Sequence, residues 1–301
     1  MLKIEGEMLM KKSIIALAVA GALTAPIAAQ ADATLYGSLR INLSNYDSTG
    51  LDVTDNSSRI GIKGSSELFS GAKAIFQYEQ FVSTETGALG GGRLASLGVT
   101  GDFGTVNTGR QWAPFAIWTV FPTDILVNSD NSGSTGYAPG LHRLSNTIAY
   151  ISPAMSGFTF AGVVIAGGDA AGTDDVDAYN LAVKYSVDGL TLAASTIGLE
   201  NTTDKSVNSF AASYKTGGAY IAARFQQDER NGANEDAYEV AGSYTMDNTT
   251  IAANYMDDDN VADERYSLEV SQKLGKAAKA FVGYYDKGAD DSLAVGYRVD
   301  F

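Results

Sequence analysis

Residue types that perform covalent chemistry are scarce in this chain of 301 residues, which has one histidine and no cysteine. His142 stands beside Arg143, with Ser145 and Asn146 close behind. Ser and His could serve hydrolysis, but a general base needs hydrogen-bond reach that adjacency in sequence does not supply. Asp102-Phe103-Gly104 echoes a kinase motif without its glycine-rich loop, strand lysine or catalytic loop, and reads as a turn. Asp257-Asp258-Asp259-Asn260 lacks the sixth-position Gly and twelfth-position Glu of a calcium loop, and reads as an acidic loop that attracts divalent ions loosely. Without thiols there is no disulfide framework and no thiolate metal site; no motif in the chain points to a cofactor, and none is expected. The chain is therefore not expected to be an enzyme. What remains is electrostatic chemistry, from basic side chains set singly among apolar ones.

Those charges follow a period of two. Leu293, Val295, Tyr297, Val299 and Phe301 share one phase, Arg298 and Asp300 the other. Ile60 and Ile62 oppose Arg59 and Lys63; Ile221, Ala223 and Phe225 oppose Arg224; Tyr266, Leu268 and Val270 oppose Arg265 and Glu269. An Arg or Lys on the lipid face of a barrel costs about 2–4 kcal/mol at mid-bilayer, so the charged phase must face water. The phase falters between Arg93 and Arg110: Arg93 keeps step with Leu97 and Val99, and Arg110 with Val106. A bulge near a local glycine would reset it.

The elements that must carry these residues are strands. Alternating segments are expected to begin at Thr34, Ser58, Lys73, Leu94, Thr105, Asn146, Phe158, Ala178, Leu190, Val207, Ala219, Ala237, Thr250, Arg265, Ala280 and Ser292. Short turns such as Gly101 to Gly104, Ser186 to Gly189 and Thr245 to Asn248 alternate with longer, mostly acidic connections. That asymmetry predicts an all-β fold: a transmembrane antiparallel up-and-down β-barrel of about 16 strands, with tight turns on one rim and loops on the other. A soluble sandwich would need a packed core, whereas Ala74, Ala95, Ala212 and Ala253 occupy apolar-phase positions. Tyr150, Phe158, Tyr185, Tyr214, Tyr220 and Tyr244 stand beside the short turns, as an interfacial girdle would.

Residues 1–31 read as a cleaved signal peptide: Met10-Lys11-Lys12-Ser13, an apolar run from Ile14 to Leu23, then Ala29-Gln30-Ala31. A start at Met10 fits better than Met1, because Glu5 and Glu7 dilute the basic region. Residues 32–301 then form the barrel domain. Cleavage leaves 18 basic residues against 33 acidic, a net of −15. A surface so acidic excludes a nucleic-acid partner.

Several stretches carry a resemblance: Leu35-Tyr36-Gly37, Ser58-Arg59-Ile60-Gly61-Ile62-Lys63-Gly64, Gly104 to Arg110, Asn146 to Pro153, Ser156-Gly157-Phe158 and the terminal Tyr297 to Phe301. In this order they are similar to the Gram-negative general diffusion porins. The resemblance implies a homotrimer in the outer membrane, exported through the periplasm, whose subunits each hold a water-filled pore for ions and small hydrophilic solutes. It implies contact with membrane lipid and lipopolysaccharide, and Phe301 as the signal read by the assembly machinery. It also implies a constriction where wall arginines face acids on a loop folded into the lumen. Trp112 to Arg143 is the loop, Arg59 and Arg93 the wall arginines, with Arg40 and Arg110 as neighbours and Asp124 and Asp130 as the loop acids. The Pro-Glu-Phe-Gly-Gly of enteric porins is absent after Leu126.

Two alternatives remain at this stage. A substrate-specific channel, for example for a sugar, would use an aromatic slide that includes Trp112, Trp118 and Phe121. An adhesin or structural barrel would be plugged. Acidic loops against luminal Arg40, Arg59, Lys63, Lys184, Arg224, Arg265 and Arg298, offset by Glu79, Glu239 and Glu269, predict weak cation preference at low salt that fades or inverts at molar salt.

Overall fold

A computed structural model describes residues 32–128, 140–167, 176–199, 205–230, 234–259, 263–288 and 290–301. Among these lie seventeen strands: β1 (Asp32–Tyr46), β2 (Gly50–Asp55), β3 (Arg59–Phe69), β4 (Ala72–Val82), β5 (Leu89–Gly101), β6 (Gly104–Trp112), β7 (Arg143–Ile151), β8 (Phe158–Ala166), β9 (Val176–Val187), β10 (Leu190–Leu199), β11 (Lys205–Thr216), β12 (Ala219–Asp228), β13 (Glu235–Met246), β14 (Thr249–Asp258), β15 (Arg265–Lys273), β16 (Ala278–Asp286) and β17 (Ser292–Asp300). Each pairs antiparallel with its sequence neighbour except β2 with β3, and β1 closes on β17 from Ser38↔Asp300 to Tyr46↔Ser292. β1 pairs with β3 along its first half and with β2 along its second. β2 and β3 are thus one wall strand broken at Asn56-Ser57-Ser58, where Ser57 adopts φ 59°. Counted so, the closed barrel has the sixteen wall positions expected. The sequence missed β2 because Asp52, Asp55 and Asn56 made it resemble a loop.

The alternation sorts as the lipid penalty requires. Leu39, Ile41 and Leu43 are exposed on the outer face, while Arg40, Asn42 and Ser44 between them are buried inside. Ile221 and Leu268 likewise stand outside, with Arg224 and Glu269 inside. The phase break is resolved by two bulges. Glu79 pairs with Leu94 and Gln80 with Gly92, leaving Arg93 as the extra residue, so Arg93 and Leu94 are both buried. A second irregularity lies between Gly109 and Gln111, where Gly109 adopts φ +102°, a left-handed conformation that an L side chain rarely tolerates.

The short turns are where the sequence placed them, as at Asp188-Gly189, whose positive φ angles of 45° and 85° suit a tight hairpin. One girdle residue is corrected. Tyr220 shares the inward phase of Ala222 and Arg224, and its hydroxyl donates to the Pro122 carbonyl at 2.7 Å. Residues 1–31, and with them the signal peptide and the start at Met10, lie outside the described residues.

Candidate functional site

The described part of the connection from β6 to β7 that follows Trp112, residues 113–128, lies in the lumen. The connection's ends are tied where Ala113 N donates to His142 O at 2.9 Å. A single π-helical turn, η1 (Ala116–Val120), follows, with Phe121 N bonded to Ala116 O. Phe115 and Val120 pack against Ile197 of β10 and Val207 of β11. Trp118 packs on Ala161, Ala182 and Ala193, small inward residues that leave room for the indole. Burial of this apolar surface drives the segment into the barrel instead of into solvent.

Further along, polar latches take over. Thr123 Oγ1 donates to Glu239 Oε2 at 2.6 Å, and Arg224 Nη2 lies 3.4 Å from the same oxygen. Leu126 and Val127 pack against Ala252, Phe281 and Ala294 on the opposite wall. There the Glu269 carboxylate accepts from Val127 N at 2.9 Å, Asn128 N at 3.0 Å and the Tyr285 hydroxyl at 2.8 Å. Asn56 donates to Val127 O and Asn42 to Asn128 Oδ1, so residues from β1, β15, β16 and the β2–β3 break converge on the loop.

Between this loop and the opposing wall lies a cavity of about 360 Å³, lined by Arg40, Arg59, Arg93, Arg143 and Arg298 together with Asp124, Phe81, Trp112 and Phe121. Arg93 Nε donates to Glu79 Oε1 at 2.6 Å, and Arg59 Nε stands 3.8 Å from Glu79 Oε2, so one carboxylate serves two guanidiniums. The Arg93 guanidinium sits 4.3 Å from the Phe81 ring centroid, and that of Arg143 4.8 Å from Trp112. Cation–π contacts of this kind contribute about 0.5–2 kcal/mol and hold cations in place without neutralising them.

Of the residues expected at a constriction, Arg40, Arg59, Arg93 and Asp124 meet at this cavity. Arg110 is not in its lining; it donates to Arg93 O at 3.1 Å and Ser145 Oγ at 2.7 Å, bracing Arg93 from behind. Asp130 lies outside the described residues. Sequence reasoning did not assign Arg143, Arg298 or Phe81. The available signals were the luminal phase of Arg298 and the place of Arg143 at the loop's end. The aromatic slide of the substrate-specific alternative is not assembled: Trp118 is buried against the wall, and Trp112 meets Phe121 edge-on at 4.8 Å beneath two guanidiniums.

Three comparisons bear on this arrangement. A family model for Gram-negative porins matches residues 16–292. The chain is 34% identical over 201 residues to the major outer membrane protein P.IB of Neisseria gonorrhoeae, a match covering 60% of this chain and 55% of that protein. It therefore spans about half the length of such relatives. By structure it is similar to an anion-selective porin from Comamonas acidovorans (TM-score 0.71, 18% identity, 90% of this chain and 100% of that one). It is also similar to a trimer form of OmpT, an outer membrane protein of Vibrio cholerae (TM-score 0.70, 18% identity, 90% and 99%). Porins are channels, not enzymes, and they reside in the outer membrane as multi-pass barrels. With the closed antiparallel wall, the luminal loop and this family match together, the chain belongs to the Gram-negative porins.

Proposed function

We propose that the chain forms a water-filled channel for passive diffusion of ions and small hydrophilic solutes, narrowest at the arginine-lined cavity. One observation carries the reading: five arginines and Asp124 surround a space beside a loop strapped across the lumen. A folded core would fill such a space with apolar side chains, because unpaired charges are expensive to bury. Liposomes containing the protein should swell in small sugars at rates that fall with solute size. Liposomes that do not swell would contradict the channel.

The constriction favours anions, which revises the balance drawn from sequence. Glu239 and Glu269 had been set against the wall cations, but neither lines the arginine cavity, and Glu79 is shared by Arg93 and Arg59. The acidic loops still concentrate cations at the mouth, though only across a Debye length of about 8 Å at physiological ionic strength. Of the acids in the long connections, Asp174 and Asp175 lie outside the described residues. Anion preference is expected at low salt and should weaken toward molar salt; cation preference at low salt would return control to the mouth.

We further propose cleavage of residues 1–31, a homotrimer, an outer face in contact with lipid and lipopolysaccharide, and Phe301 as the element read by the assembly machinery. Phe301 also closes the seam, since its carbonyl accepts from Gly37 N at 2.9 Å and its N–H donates to Gly37 O at 3.1 Å. Its ring lies over Gly37, where any Cβ would fall 2.4 Å from Cζ. Deleting Phe301 should lower the yield of heat-modifiable, membrane-inserted protein and leave signal cleavage intact. Normal insertion of the truncated chain would remove Phe301 from this role.

A further inference from the structure

Below the arginine cavity, toward the short-turn rim, the register sets a second kind of row across the inner wall. Thr34 of β1 stands opposite Lys63 of β3, Lys63 opposite Gln77 of β4, and Gln77 opposite Ser96 of β5. Gln77 is two residues from Glu79, the acid shared by Arg93 and Arg59, on the side that leads to the turn between β3 and β4. The row faces inward, because Thr34 alternates in step with buried Ser38 and Arg40, Gln77 with buried Glu79, and directly opposite residues share a face.

These four residues, with Asp32 and with Asn107 of β6, line a cavity of about 450 Å³, inside the range of about 300–1,000 Å³ usual for small-molecule sites. Its chemistry differs from that of the constriction. There five guanidiniums face one carboxylate; here one ammonium and one carboxylate balance, and the other polar groups are amides and hydroxyls. Amides and hydroxyls both donate and accept hydrogen bonds, so the lining suits a neutral solute rich in hydroxyls better than an ion of either sign. Ile75 adds an apolar patch against which the C–H face of a sugar ring can lie.

The amides are held in place before any ligand arrives. Gln77 Nε2 donates to the Tyr36 hydroxyl at 2.7 Å, and the Tyr36 ring lies 5.2 Å from Lys63 Nζ. Asn107 Nδ2 donates to Gln111 Oε1 at 2.9 Å, and Gln111 Nε2 in turn to Thr147 Oγ1 at 2.7 Å. Gly98, opposite Asn107, leaves the space its amide fills, since a Cβ there would fall 2.6 Å from Asn107 Oδ1. Side chains fixed in this way lose little further freedom on binding.

We propose that this cavity binds a small neutral saccharide, which pauses there between the constriction and the short-turn rim. This rests on the channel reading above and adds to it a saturable step that free diffusion lacks.

The test is single-channel recording in potassium chloride with glucose, and separately with a polyethylene glycol of similar size, whose ether oxygens accept hydrogen bonds but do not donate them. Wild type, Gln77→Leu and Ser96→Leu are compared, each first shown to be heat-modifiable. In wild type, glucose should lower the conductance saturably, and the glycol only in proportion to its concentration. Gln77→Leu keeps the bulk of the side chain without its hydrogen-bonding groups and should raise the half-saturating glucose concentration about fivefold or more. Ser96→Leu, which fills part of the cavity, should abolish saturation. Glucose and glycol acting alike on wild type, or saturation unchanged in both variants, would overturn the saccharide site while leaving the channel standing. A wild-type protein that does not conduct would overturn both.

Discussion

Replacing Arg93 with alanine should produce the largest change in selectivity of any single wall substitution. The change removes a guanidinium from the cavity and deprives Glu79, 5% exposed, of its nearest partner at 2.6 Å. Arg59, at 3.8 Å, and the Tyr36 hydroxyl are then left to Glu79, so the site loses a positive charge and uncovers part of a negative one. A unit charge about 4 Å from a permeating ion is worth about 1 kcal/mol in bulk water and more where the walls exclude water. Acting oppositely on anions and cations, this should lower the anion-to-cation permeability ratio by roughly threefold to tenfold. Conductance should also rise as the side chain is withdrawn. Arg59→Ala should move both quantities the same way by less, because Glu79 keeps its shorter bond to Arg93. If both variants retain wild-type conductance and selectivity, these arginines do not form the constriction.

Glu269→Ala should release the loop from the far wall. Its carboxylate receives two backbone N–H groups and one hydroxyl at 2.8–3.0 Å, in a position 1% exposed. Each buried donor left without an acceptor costs about 1–3 kcal/mol, so losing all three outweighs the remaining Asn56 and Asn42 bonds. The strands themselves are held by their ladders and should stay closed. The expected signature is an intact, heat-modifiable barrel with noisy open-channel current and fluctuating conductance. Tyr285→Phe, which removes one of the three bonds, should give a milder version. Quiet wild-type current in Glu269→Ala would show that the packing of Leu126 and Val127, with the Asn42 and Asn56 bonds, is enough to hold the loop.

The barrel was legible in the sequence because bilayer physics leaves a strong imprint. Residues such as Leu268 and Glu269 cannot exchange faces without large penalties, and turns such as Asp188-Gly189 require particular residues. The bulges were legible in part: the broken phase between Arg93 and Arg110 signalled that something must reset it, and Gly92 and Gly109 flank the sites. The constriction was less readable. Phase says that Glu239 and Glu269 face inward, but not that a loop more than a hundred residues away in sequence brings its N–H and O–H groups to them. For the same reason Tyr220 resembled a girdle residue and Trp118 a slide residue. Each makes its decisive contact between loop and wall, which no local pattern encodes. β2 escaped because acidic residues at the loop rim are as compatible with a strand above the membrane as with a loop.

A water-filled channel whose arginine-lined constriction selects anions should declare itself in single-channel recordings of the purified protein in planar bilayers under a potassium chloride gradient at low ionic strength. Stepwise conductance with a reversal potential displaced toward the chloride equilibrium potential is expected. Conductance displaced toward the potassium potential would contradict control by the arginines, and no conductance at all would contradict the channel.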